Sequence, residues 1–318
     1  MSPPTRGFQR LALVTLVLTF ALIVLGGVVR VSDSGLGCGP ADSGFHGWPR
    51  CNGDVIPGAS IHTAIEYAHR TVASAVGLLA LTLMVLARRR HRAHVRATTG
   101  VFALVVAEGL LGGLTVEENL EEELVAAHLG LAMIILALLL HVWRASRPEV
   151  IGAPAAPVSD GFRRLAIAVQ VLILGTIVAG GYMAGTQKYG RPDYRIGDGA
   201  HHACGREFPT CNDGFLPFGS SRLVDIHLTH RVFMYVATVA IVVLVVMALR
   251  RRPSAGVVSA ARMLGALLVV QLLVGALNVW LEEYEVLILA HLTLGALLWA
   301  TASMLTLQLY PVRALARA

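Results

Sequence analysis

Charge is what this sequence has least of. Asp, Glu, Lys and Arg make up 14% of its 318 residues, against roughly a quarter in soluble domains. There is one lysine, Lys188, and only four cysteines; aromatic residues are 6%. With 55% apolar residues and a mean hydropathy of +0.67, the chain has too little polar surface to be a water-soluble domain. The pI of 9.5 does not point to nucleic acid, because the basic residues sit in short loops between apolar runs, where they set orientation. No C-x-x-C pair is present, which excludes a thioredoxin-type redox site. No cleavable leader is expected either. The first apolar run, Leu11 to Val29, is long enough to span and lacks a small-residue cleavage site.

What is present is a series of long apolar runs. They predict an all-α polytopic membrane protein with eight spans, at 11–31, 62–87, 98–117, 123–143, 164–185, 227–249, 258–280 and 286–308. One side of this arrangement gathers 17 arginines, Arg313 and Arg317 among them, and only two acids, Glu149 and Asp160. The positive-inside rule puts that side, with both termini, in the cytoplasm of a bacterial cell membrane. The loops holding Cys38 and Cys51, and Cys204 and Cys211, are then outside, where disulfides persist. Pairing within each loop, Cys38–Cys51 and Cys204–Cys211, is the economical connectivity. Zinc held by cysteines with His46, His201 or His202 is the alternative, although separations of thirteen and seven do not match the usual C-x₂₋₄-C spacing.

The chain also repeats itself. Trp48-Pro49-Arg50-Cys51-Asn52-Gly53 corresponds to Phe208-Pro209-Thr210-Cys211-Asn212-Asp213-Gly214, His69-Arg70 to His230-Arg231, and His128 to His291. The offsets are 160, 161 and 163 residues. This predicts two pseudo-symmetric four-helix bundles, 1–147 and 164–318, joined by a cytoplasmic linker 148–163 that contains Pro148, Pro154 and Pro157. Each half holds an even number of spans, so the repeats run parallel. Small-residue stretches recur in the odd-numbered spans (Gly26-Gly27, Gly112-Gly113, Gly180-Gly181 and Gly275), where helices or a flat ligand can approach closely.

His69 and His128 in the first half, and His230 and His291 in the second, lie near the outer ends of each half's second and fourth helices. Facing imidazoles inside a four-helix bundle suit a bis-histidine haem, whose iron takes axial nitrogen ligands. A di-iron carboxylate centre would need Glu-x-x-His twice; Glu66-Tyr67-Ala68-His69 supplies it once. Arg70 and Arg231 are placed either to pair with haem propionates or to close helices at the interface. Glu66 has His227 opposite it in the repeat, which points to chemistry in the first half and a structural or electron-passing haem in the second. Glu108, with Gln271 as counterpart, reads as a hydrogen-bonded buried carboxyl, a proton path being the other reading. The acidic groups Glu117-Glu118, Glu121-Glu122-Glu123 and Glu282-Glu283 with Glu285 are expected to be solvated turns. His46, His91, His94, His141, His201 and His202 read as incidental, and His62 as a residue of the outer mouth.

Gly26-Gly27-Val28-Val29-Arg30, Ser34-Gly35-Leu36, Trp48-Pro49-x-Cys51-Asn52-Gly53, Glu66-x-x-His69-Arg70 and the three later histidines together resemble the haem A synthase family over nearly the whole chain. The resemblance implies oxidation of the C8 methyl of haem O to the formyl of haem A for cytochrome oxidase assembly. It implies a haem b on His230 and His291, the substrate haem O near His69 and His128, and a catalytic Glu66. O₂ is the implied oxidant, with a separate electron donor. Delivery of haem O by a haem O synthase and homo-oligomerisation are further implied partnerships. The cysteine loop departs from the family pattern by an insertion, Gly39 to Gly47, which favours a stabilising disulfide there. Two other functions compete: a non-enzymatic di-haem b-type electron carrier, and a haem chaperone or exporter.

Overall fold

The computed structural model describes residues 4–40, 43–56, 58, 60–151, 155–187, 199–281 and 284–312. Ala41, Asp42, Pro154, Lys188, Glu282, Glu283, Arg313 and Arg317 lie outside them. Eight long helices carry the chain: α1 (Arg6–Val31), α2 (Ile61–Arg90), α3 (Val95–Glu117), α4 (Glu122–Ala145), α5 (Asp160–Gly185), α6 (Arg222–Arg251), α7 (Ala255–Trp280) and α8 (Glu285–Gln308). Each is long and apolar enough to cross a bilayer, and no β-strand is formed among the described residues. The protein is an all-α, multi-pass membrane protein.

The helices match the predicted spans but start earlier, by five residues at α1 and α6. Capping explains the difference. The side chains of Thr5, Ser60, Ser159, Ser221 and Ser254 accept from the amides of Phe8, Thr63, Phe162, Val224 and Val257. Each cap begins the helix in the polar zone, before the apolar run that hydropathy detects.

Sequential helices pack on one another, and α1 on α4 and α5 on α8 close two four-membered rings. The rings meet along a seam where α4 packs on α5 and on α8, and α1 on α8. Lipid is as apolar as leucine, so close packing, rather than escape from water, holds such a seam together. Small residues make it tight: a Cβ on Gly185 would lie 2.5 Å from Glu122 Cα, and one on Gly181 3.3 Å from Ala126 Cα. The two outer contacts are mirrored. Gly27 of α1 faces Leu292 of α8, and Gly181 of α5 faces Leu129 of α4. Trp299 Nε1 donates to Met133 O across the seam at 2.7 Å. Arg30, at the end of α1, donates to the carbonyls of Ala184 and Gln187 at the end of α5, where a cation is favoured by the exposed carbonyls. Facing outward are large apolar side chains such as Val17, Leu78, Leu110, Val171, Val239 and Val269, the surface a bilayer would cover.

Candidate functional site

Four imidazoles define the site, and each rests against a glycine of the preceding helix. His69 of α2 lies on Gly26 of α1, His128 of α4 on Gly112 of α3, His230 of α6 on Gly180 of α5, and His291 of α8 on Gly275 of α7. A Cβ at those glycines would stand 3.2, 3.1, 3.0 and 3.0 Å from the ring Cε1 atoms. Even a methyl group there would make the ring give by a few tenths of an ångström, so here the glycines serve side-chain placement rather than backbone freedom.

His230 and His291 face each other with ring centroids 6.5 Å apart and planes inclined by 66°. Two imidazoles binding one iron from opposite sides at roughly 2 Å have centroids roughly 6 Å apart. His230 Nδ1 lies 3.0 Å from Thr176 O, which holds the proton on Nδ1 and leaves Nε2 free as an acceptor. In the other ring of helices His128 stands within electrostatic reach of His69. The buried Nδ1 atoms of His69, His128 and His291 make no hydrogen bond among the described residues. The spacing of His230 and His291 fits a bis-histidine haem, and His69 and His128 share the same glycine seats and an unsatisfied Nδ1 each.

Around the histidines the two halves differ. Glu108 Oε1 lies 3.2 Å from His128 Nδ1, and its Oε2 is buried without a hydrogen bond. At the corresponding place Gln271 Nε2 lies 3.2 Å from His291 Nε2. Glu66 is 3% exposed; its Oε2 accepts from the Cys38 amide at 2.7 Å and its Oε1 pairs with Arg70. His227, in the equivalent position, places Nδ1 2.7 Å from Ala200 O.

Both cysteine loops are clamped down on the helices by an arginine. Arg70 donates to the carbonyls of Gly47 and Arg50. Arg231 donates to those of Thr210, at 2.7 Å, and Glu207, at 2.8 Å, while lying over the Phe208 ring. The clamped carbonyls include the residue just before the second cysteine of each loop. Both guanidinium groups are thus held by protein carbonyls. Cys38 is bonded to Cys51 and Cys204 to Cys211, and no free cysteine remains. That overturns the alternative in which the cysteines bind zinc. Gly37 is obligatory beneath this loop, since a Cβ there would lie 2.5 Å from His62 O.

Two further expectations are corrected. Glu122 is buried, not solvated, and pairs with Arg222 of α6. Glu118, Glu123 and Glu285 are exposed, as expected of solvated turns, and Glu123 accepts from Tyr182 and Glu117 from the Gly44 amide at that surface. His91 and His94 are buried against Phe8, not incidental. His62 does sit at the mouth, exposed, with Nδ1 3.2 Å from Ser34 Oγ. Sequence reasoning missed the glycine seats and the contacts of Glu108 and Gln271 with histidine. A signal for both existed: glycine and histidine are 16 apart in 112/128 and 275/291, and the polar partner and histidine 20 apart in 108/128 and 271/291.

Comparison with known proteins adds an independent line. A family model described as "Cytochrome oxidase assembly protein" (COX15-CtaA) matches residues 9–64 and 58–303. The protein named "Heme A synthase" in Halalkalibacterium halodurans is 31% identical over 236 residues, covering 72% of each chain. Its namesake in Shouchella clausii is 28% identical over 274 residues, covering 83% of this chain and 84% of that one. The one in Alkalihalophilus pseudofirmus is 26% identical over 308 residues, covering 94% and 97%.

Proposed function

This chain belongs to the cytochrome oxidase assembly family COX15-CtaA, and from that premise we propose that it is a haem A synthase, a membrane oxidoreductase acting on haem O. The observation that carries the reading is the pair of histidine pairs on glycine seats, alike in both halves, beside a carboxylate at position 66 in one half only. A plain di-haem carrier accounts for the likeness and leaves the difference idle.

In this reading residues 1–147 hold the substrate, 164–318 hold the resident haem, and 148–163 link them. His230 and His291 would ligate a haem b, which when bound supplies one-electron transfer. His69 and His128 hold the iron of haem O and so fix the position of its C8 methyl. Each hydroxylation of that methyl takes one O₂, two electrons and two protons, places one oxygen in a C–H bond and releases water. After two rounds the hydrated aldehyde loses water to leave the formyl group. Glu66 shares a helix stripe with His69, one turn away. Its carboxylate oxygens handle protons for, or orient, the reacting edge, while Arg70 and the Cys38 amide hold it in place. The arginine-rich ends of the helices and both termini face the cytoplasm, and the disulfide loops face outward.

The test is pigment analysis. Haems extracted from the purified protein should include haem O, hydroxylated haem or haem A beside haem b, and two equivalents of haem b alone would favour the carrier. Glu66→Gln should keep both haems bound while haem A formation falls about 100-fold or more, the scale of a lost proton-transfer group. Normal haem A output from that variant would remove Glu66 from the chemistry.

A further inference from the structure

The histidines of both halves share glycine seats, but the groups behind them differ. In α3 a carboxylate, Glu108, stands 3.2 Å from His128 Nδ1. In α7 an amide, Gln271, stands 3.2 Å from His291 Nε2. Both partners sit 20 residues before their histidine and four before the glycine that seats it, so they occupy one position of the repeat. A carboxylate deep in a membrane helix is costly and is retained where it has a partner. The side chain of Glu108 is 16% exposed, and His128 is the one salt-bridge partner it shows among the described residues.

We infer that Glu108 is a positioning residue for His128: its carboxyl, 3.2 Å from Nδ1 but not hydrogen-bonded to it in this geometry, takes up the Nδ1 proton as acceptor when haem binds, turns Nε2 toward the substrate iron and makes that nitrogen a stronger donor than its counterpart His291. The inference rests on the assignment of His128 as a haem ligand and adds to it the reason why the two sites should differ electronically. A carboxylate behind a ligating histidine fixes its tautomer and raises its basicity, whereas an amide does so far less. A more basic ligand stabilises the oxidised iron, so the first site holds the haem at the lower potential, and the second, backed by Gln271, at the higher one. Glu108 touches no substrate atom in this scheme. It acts only through His128.

The experiment uses the full-length protein in detergent or nanodiscs, loaded with haem. Its readouts are haem affinity by optical titration, midpoint potential by potentiometry, and the low-spin EPR signal of each site. Glu108→Gln is isosteric, so a purely structural role would leave the potential unmoved. The expected result is a tenfold or greater loss of haem affinity in the first site, a more positive potential there, an altered EPR signal, and no change in the second site. The reciprocal Gln271→Glu should lower the potential of the second site, and it reads the same principle even if the first variant folds poorly. Unchanged potential and EPR signal in Glu108→Gln, with His128→Ala abolishing haem binding in the first site, would overturn the inference and spare the ligand assignment. An unchanged first site in His128→Ala would overturn the ligand assignment, and the inference with it.

Discussion

At the scale of single residues, this protein works by giving each histidine a place where nothing else fits. The seat under His230 is Gly180, and a Cβ there would lie 3.0 Å from the ring. Gly180→Val should therefore displace the imidazole, at a packing cost of about 1–3 kcal/mol, and remove the second haem while the first stays bound. Haem-to-protein stoichiometry should fall by half; full loading would show that the seat is dispensable. The histidines themselves were legible in the sequence, because His69, His128, His230 and His291 recur at nearly constant offsets. The glycines were visible as small-residue stretches, but not which glycine meets which ring. That depends on how far each loop lets two helices slide. The intervals of 16 residues in the α3–α4 and α7–α8 hairpins were readable, whereas Gly26/His69 and Gly180/His230 differ in separation because the disulfide loops differ in length.

Helices are the next scale, and the contact of α4 with α5 is the one that joins the halves most closely. Gly185 passes Glu122 with no room for a side chain. Gly185→Leu meets backbone rather than a flexible side-chain end, so it should lower stability by about 3 kcal/mol or more. A clear fall in thermal unfolding midpoint in detergent checks this, and an unchanged midpoint would mean that the seam can open without cost. Hydropathy located all eight helices because each apolar run is continuous. It misplaced their starts because Thr5 and Ser221 cap beyond the apolar stretch. It also could not see that Glu122 is buried, since its partner Arg222 comes from a helix 100 residues away in the chain. A run of glutamates in a turn reads as solvated unless the third dimension supplies the cation.

For the molecule as a whole, the proposed orientation rests on the segregation of arginine to one end of the bundle and of both disulfides to the other. After mild reduction, a membrane-impermeant thiol reagent should label the four cysteines in intact cells from outside. Labelling only after the membrane is opened would invert the topology. The two arginines that pin the disulfide loops, Arg70 and Arg231, give each half a lid fastened to its own second helix. The glycine seats have a consequence for how such a protein can be assembled. Every seat and its histidine lie within one helical hairpin, α1–α2, α3–α4, α5–α6 or α7–α8. The smallest portable part is therefore a hairpin rather than a bundle. One hairpin carries one seated histidine and two carry a pair, and two successive copying events would turn a single ancestral hairpin into all four.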